Sequence, residues 1–175
     1  TIQEIFDEIK TSGGLTPSRR LRDIASRFPD QVAVRDKRYG IWNEITYGEF
    51  WTHVQYVGSA LNYFGVKRAD KVAIHSENRP EWLISDIGIQ SLGAISVGLY
   101  PTNPPAEVQY LLSHSESKIL FAEDQEQVDK ALEVSKDVPN LSKIIYFEEK
   151  GLFRYESDML MRWDDFLEIG KTEYE

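Results

Sequence analysis

Two short polar runs hold the residue types that could bind or react: His75-Ser76-Glu77-Asn78-Arg79 and Tyr100-Pro101-Thr102-Asn103. An imidazole, a hydroxyl, a carboxylate and a guanidinium within five positions could move a proton or hold an anion, but these types alone identify no reaction. The other two histidines, His53 and His114, lie far from His75 in sequence, and no pair has the H-x-x-x-H spacing of a zinc site. All three are expected to be structural or exposed. The chain has no cysteine, which excludes thiol nucleophiles, zinc thiolates and disulfides together. There is no G-x-x-x-x-G-K-[ST], no G-x-G-x-x-G and no G-x-S-x-G. No catalytic residue and no metal ligand is therefore assigned. Asp86 is the polar residue of an otherwise apolar run, EWLISDIGIQSLG, and is expected to be structural, satisfied by a backbone N–H or by Arg79. Tyr100, Pro101, Thr102 and Asn103 form the leading site candidate, and a rigid strand-to-helix connection is the equal alternative.

The elements around these runs decide where they stand. Three apolar strands are expected near Val72 to His75, Ile95 to Leu99 and Ile119 to Ala122, each followed by helix-start signals. Asn78 is read as an N-cap with Pro80 in the first turn and Glu81 closing a capping box; Asn103 is read as a second cap before Pro104 and Pro105. Crossovers of this length force parallel strands, and in such sheets ligands sit beyond the strands' carboxyl ends. A further helix from Gln125 to Lys136 and a fourth strand from Lys143 to Phe147 extend the alternation, and Trp163, Phe166, Leu167 and Ile169 suggest a last helix. The fold class is α/β: a mostly parallel, doubly wound sheet with flanking helices and an N-terminal β-hairpin.

Ahead of that core, Ile2, Ile5, Phe6 and Ile9 follow helical spacing, and Thr16-Pro17 opens a helix carrying Leu21, Ile24, Ala25 and Phe28 inward. Arg19, Arg20 and Arg22 on it read as a solvated face. Val32, Val34, Trp42 and Ile45 bracket a turn at Gly40, a hairpin, and Thr46-Tyr47-Gly48-Glu49 is a capping box before the clearest helix, which ends at Gly65. The economical organisation is one domain, 1–175, with a helical lead-in (1–30), a hairpin (31–46) and an α/β core (47–175). Twenty-nine acidic against twenty basic residues give a net charge of −9, which argues against nucleic acid as a partner. No run approaches the roughly 20 apolar residues that span a bilayer, and the start is unlike a signal peptide, so a cytoplasmic setting is expected.

The strings SENRPEW, GAISVGLYPTN and EVQYLLSHSESKILFAED, in this order and spacing, resemble the adenylate-forming enzymes, specifically the N-terminal part of long-chain fatty-acyl-CoA synthetases. The resemblance begins near Leu21 and weakens toward the end. It implies a parent enzyme that uses ATP, Mg2+ and CoA to convert a fatty acid to an acyl-adenylate and then to a thioester. It also implies that the phosphate-binding loop and the catalytic lysine lie beyond this chain, so that the chain alone turns nothing over and binds none of these cofactors tightly. Fatty acid, CoA and the remainder of the same polypeptide are the implied partners; a homodimer and contact with the periphery of a membrane stay open. Tyr100 to Asn103 would lie near the acyl and pantetheine passage. Lys130 would stand where related synthetases approach the CoA nucleotide phosphates, but Glu123, Asp124, Glu126 and Asp129 would repel such an anion, so Lys130 is expected to be solvent-exposed. The family usually has glycine where Ala69 stands. The alternative of another class is a stand-alone, non-catalytic α/β module that binds a small ligand or a protein partner.

Overall fold

Thr46 and Glu49 show how local chemistry starts the longest helix: the Thr46 hydroxyl accepts from the Glu49 N–H at 3.2 Å, and the Glu49 carboxylate accepts from the Thr46 N–H at 2.8 Å. The computed structural model describes residues 16–175 together with Gln3, Glu4, Asp7 and Thr11. The expected apolar stripe of Ile2, Ile5, Phe6 and Ile9 lies outside the described residues. In chain order the elements are α1 (Pro17–Arg27), β1 (Val32–Arg38), β2 (Ile41–Thr46), α2 (Tyr47–Tyr63), β3 (Lys71–His75), α3 (Pro80–Ser91) and β4 (Ile95–Leu99). There follow α4 (Pro105–Ser115), β5 (Ile119–Ala122), α5 (Gln125–Val134) with a 3₁₀ turn, β6 (Lys143–Tyr146), β7 (Leu160–Arg162) and α6 (Trp163–Tyr174). Two compact units result, Thr1–Trp51 and Thr52–Glu175.

In the first unit, Thr16 caps α1 by accepting from the Arg19 N–H, and Leu21 and Ala25 are buried. Phe28, expected inward, is 49% exposed. It is the C-cap, with φ −138°, so the backbone has already left the helix and its ring leaves the stripe. Arg19, Arg20 and Arg22 are exposed, as a solvated face should be. Strands β1 and β2 pair antiparallel, Lys37 opposite Trp42 and Arg38 opposite Ile41. The turn between them places Tyr39 (φ +51°) and Gly40 (φ +82°) in the left-handed region that a tight hairpin demands.

The second unit is a five-stranded sheet of order β4-β3-β5-β6-β7 in which every pair is parallel. Strand β5 is buried throughout because helices cover both faces, which is why ILFA reads as a continuous apolar run rather than an alternating one. On one face Ala73, Leu120 and Ile144 pack with Val108 and Leu112 of α4 and Val128 and Ala131 of α5. On the other, the Phe121 ring lies 5.5 Å from Phe166 and 5.9 Å from Trp163. There α2 also meets α3 and α6 so closely that Gly88 lies against Val57 and Gly170 against the Tyr56 carbonyl. The sequence reading misses β7: three residues show no periodicity, and only the pairing with β6 defines them as a strand.

Both asparagine caps are corrected. The N-caps are Arg79 and Pro104, neither with a side-chain cap bond. The Glu81 carboxylate accepts from the Arg79 guanidinium at 2.8 Å instead of closing a box, and the Asn103 amide donates to the Glu107 carboxylate. Asp86 is held by the Ser96 hydroxyl and by the Gln90 amide at 2.9 Å, not by Arg79.

Two backbone positions predict opposite outcomes. Ala69 is left-handed (φ +67°), a conformation that penalises a Cβ, so Ala69→Gly should raise stability by about 0.5–1 kcal/mol. Gly170→Ala drives a Cβ into the Tyr56 carbonyl and should lose about 2 kcal/mol or more. Urea denaturation of the two variants checks both signs.

Candidate functional site

The chain moves from β3 to β4 on one side and then crosses back over β3 to β5 on the other, so the crevice between the carboxyl ends of β3 and β5 is the topological switch point where a doubly wound sheet ordinarily takes its ligand. Here a side chain of the protein fills it. The Glu123 carboxylate, just past β5, accepts from the Glu77 N–H at 2.6 Å and the Ser76 hydroxyl at 3.2 Å. Behind it the Arg79 side chain, 8% exposed, reaches Glu81 at 2.8 Å, Glu148 at 2.8 Å and Glu123 at 3.7 Å. Its guanidinium also lies 5.3 Å from the centroid of the Phe147 ring. Burial alone would lower the Arg79 pKa, and the hydrogen bonds the guanidinium donates to Glu81 and Glu148 outweigh it and raise it, so the charge is permanent. The guanidinium is spent on three carboxylates after β3, β5 and β6 and offers nothing to an external anion.

The open space lies one strand over. A cleft of about 370 Å3 beyond β3 and β4 is lined by Ser76, Glu77, Asn78, Trp82, Gly98, Leu99, Tyr100 and Pro101. Both polar runs contribute to it, so the two expected site loops meet in one place. Gly98 leaves its wall bare: a Cβ there would have only the Trp82 ring near it, at 3.9 Å. Trp82 and Gly98 were not singled out from the sequence, although a glycine inside an apolar strand is a signal of open or closely approached backbone.

Two buried side chains hold the second loop by its main chain. The His75 Nε2–H donates to the Tyr100 carbonyl at 3.1 Å, and that carbonyl also accepts the Asn103 N–H at 2.9 Å. Lys130, expected to be solvent-exposed, is instead largely buried: its side chain is 14% exposed, and Nζ donates to the Pro101 carbonyl at 2.8 Å and the Glu126 carboxylate at 2.6 Å. The same bond holds the Glu126 carboxyl below the usual range. The acidic neighbour, one helical turn earlier, thus holds Lys130 in place; the bond to Pro101, 29 positions away, is what spacing in sequence could not reveal. Of the five candidates, the structure brings Tyr100, Pro101 and Asn103 together with Lys130 through Pro101, while the Thr102 side chain is exposed and the Tyr100 ring is 79% exposed. His53 lies in α2, and His114 stacks on Tyr110 at 5.4 Å; neither joins the cleft.

The cleft fits a narrow, uncharged group better than a polyphosphate. Its one charged lining residue is Glu77, and the nearest cations, Arg79 and Lys130, are committed to carboxylates and a carbonyl. Among the described residues no cluster of His, Cys, Asp or Glu could hold a metal ion, and no helix is long and apolar enough to cross a membrane.

This sheet order, with a cleft beyond the carboxyl ends of its strands, defines an open doubly wound α/β protein. Within that class the chain belongs to the AMP-binding enzyme family, whose model matches residues 21–160. It is 29% identical over 165 residues to the long-chain-fatty-acid–CoA ligase ACSBG1 of Bos taurus, covering 94% of this chain and 22% of that protein. It is 31% identical over 149 residues to ACSBG1 of Rattus norvegicus, covering 85% and 20%. Among solved structures, the anthranilate CoA ligase AuaEII in complex with anthranoyl-AMP superposes with a TM-score of 0.75 over 86% of this chain and 27% of its own, at 22% identity. The acetoacetyl-CoA synthetase of Streptomyces lividans gives 0.76 over 86% and 24%, at 18% identity. These likenesses bear out the α/β expectation and the resemblance to acyl-CoA synthetases. The chain spans about a fifth of the length of the curated relatives it matches.

Two variants test the site's construction. The buried His75 ring is neutral, its pKa lowered to about 4 by burial and then by the charge of Lys130, and its Nδ1 has no partner. An unfolded histidine titrates near 6.5, so the unfolded chain binds the extra proton first. This contribution to stability is complete above about pH 6.5 and is lost as pH falls toward 4. Between pH 7 and about 4.5 the wild type should lose about 2 kcal/mol more than His75→Gln, measured by urea denaturation. Arg79→Met should lose about 3 kcal/mol at pH 7, because it leaves three clustered carboxylates without their cation.

Proposed function

We propose that this chain is the N-terminal part of an ATP-dependent acyl-CoA synthetase acting on long-chain fatty acids, in a cytoplasmic setting. The match of residues 21–160 to the AMP-binding family carries the reading, and the names of the relatives supply the substrate class. In the whole protein a fatty-acid carboxylate attacks the α-phosphorus of ATP, pyrophosphate leaves, and the acyl-adenylate then passes its acyl group to the CoA thiol with release of AMP.

This chain's own residues do not fit a nucleoside triphosphate, since the cleft lacks a free cation, and no adenylation step is assigned to them. Mg2+ likewise finds no ligand set among the described residues. Their part is positional. Trp82, Gly98 and Tyr100 form one wall of the passage for the pantetheine arm, and His75 and Lys130 fix the carbonyls of Tyr100 and Pro101 so that the wall keeps its shape. A narrow amide-bearing chain suits a cleft of about 370 Å3 with one charged lining residue.

In the full-length polypeptide that contains this segment, ATP–pyrophosphate exchange should depend on a long-chain fatty acid, and thioester formation should follow on adding CoA. Gly98→Leu narrows the cleft and should slow the thioester-forming half-reaction by about tenfold or more while leaving adenylation within about twofold. Absence of fatty-acid-dependent exchange would overturn the enzyme reading, and equal loss of both half-reactions would overturn the role given to the cleft.

A further inference from the structure

The second unit has another pocket, at the far end of the sheet from the cleft. Helix α2 delivers the chain to the start of β3 and α3 delivers it to the start of β4, so both helices end beside the amino ends of the strands. Where they end, a pocket of about 260 Å3 is lined by Gln55, Ser59 and Asn62 of α2, Ser91 of α3, and Glu173 and Tyr174 of α6. Left-handed glycines stop both helices, Gly65 at φ +79° and Gly93 at φ +70°. A helix C-terminus is the negative end of its dipole and is commonly met by a basic side chain, yet neither α2 nor α3 has one in its last turn. The nearby cations are Arg68, which lies against Gly93, and Lys171 of α6; neither lines the pocket.

The polar groups of the pocket are set to accept hydrogen bonds. The Ser91 hydroxyl donates to the Gly88 carbonyl at 2.6 Å and the Gln55 amide donates to the Tyr174 hydroxyl, which leaves the oxygens of Ser91 and Gln55 as acceptors. Glu173 supplies a full negative charge and makes no ion pair among the described residues. A single carboxylate suits a ligand of charge +1 rather than a divalent ion, which wants several oxygen ligands of higher charge. The wider field favours the same sign. The first unit, Thr1–Trp51, carries eight basic and eight acidic side chains, so the net charge of −9 belongs entirely to the second.

We propose that this pocket binds the primary ammonium group of a small organic amine. Glu173 is the counter-charge, the oxygens of Gln55, Asn62 and Ser91 accept the ammonium N–H bonds, and the Tyr174 ring lies beside the alkyl chain. The pocket is separate from the cleft, so the site stands whether or not the acyl-activation reading holds.

The test is saturation-transfer NMR of n-butylamine, protonated at pH 7, on the full-length polypeptide that contains this segment, with n-butanol as the uncharged control. The wild type should bind n-butylamine with a dissociation constant on the order of 1 mM, more weakly at high salt, and should give no transfer to n-butanol. Glu173→Gln should weaken binding by about threefold. Asn62→Lys places a tethered ammonium in the pocket and should abolish binding. Both substitutions are at exposed positions, and circular dichroism checks that each variant folds. Absence of transfer to n-butylamine, equal transfer to n-butanol, or undiminished binding by Asn62→Lys would each overturn the proposal.

Discussion

A buried guanidinium ties the second unit together. Arg79 stands at the N-terminus of α3 and holds carboxylates that follow three strands, so one cation fixes the loops at the carboxyl ends of β3, β5 and β6. Guanidinium geometry suits this better than an ammonium would, since a planar fork can serve several carboxylates while its face lies against Phe147. The arrangement is stable only as a set, because any carboxylate deprived of its partner would be left charged in a half-buried place.

This set determines where a ligand can go. By filling the crevice between β3 and β5, Glu123 removes the usual nucleotide position of an open α/β sheet and leaves the neighbouring cleft beyond β3 and β4. The wall of that cleft is main chain held by side chains: the carbonyls of Tyr100 and Pro101 are gripped by His75 and Lys130. Backbone gripped in this way presents a fixed surface with no titrating group of its own, which suits positioning rather than acid–base chemistry. The two grips differ in setting: the His75 ring is fully buried, whereas Lys130 is anchored beside the exposed Glu126.

Much of the core was legible. Ile119–Ala122 stood out because a strand covered on both faces reads as an unbroken apolar run, and Thr46 with Glu49 announced α2 by a bond between near neighbours in sequence. The two polar loops were also legible as the place of a cleft, because they end parallel strands. What failed was long-range or competitive. Glu123 reaches Ser76 and Glu77 across the sheet, and Lys130 reaches Pro101, contacts no local pattern encodes. Asn103 had the chemistry of a cap, but its amide went to Glu107, and β7 was too short to carry a period. Phe28 followed helical spacing past the point where the backbone had stopped being helical.

The most direct measurement is a crystal structure of the full-length polypeptide with CoA bound. The account predicts the pantetheine arm against Gly98, Trp82 and Tyr100, with Glu123 still bonded to the Glu77 N–H. Ligand density in the crevice between β3 and β5, with Glu123 displaced, would contradict it.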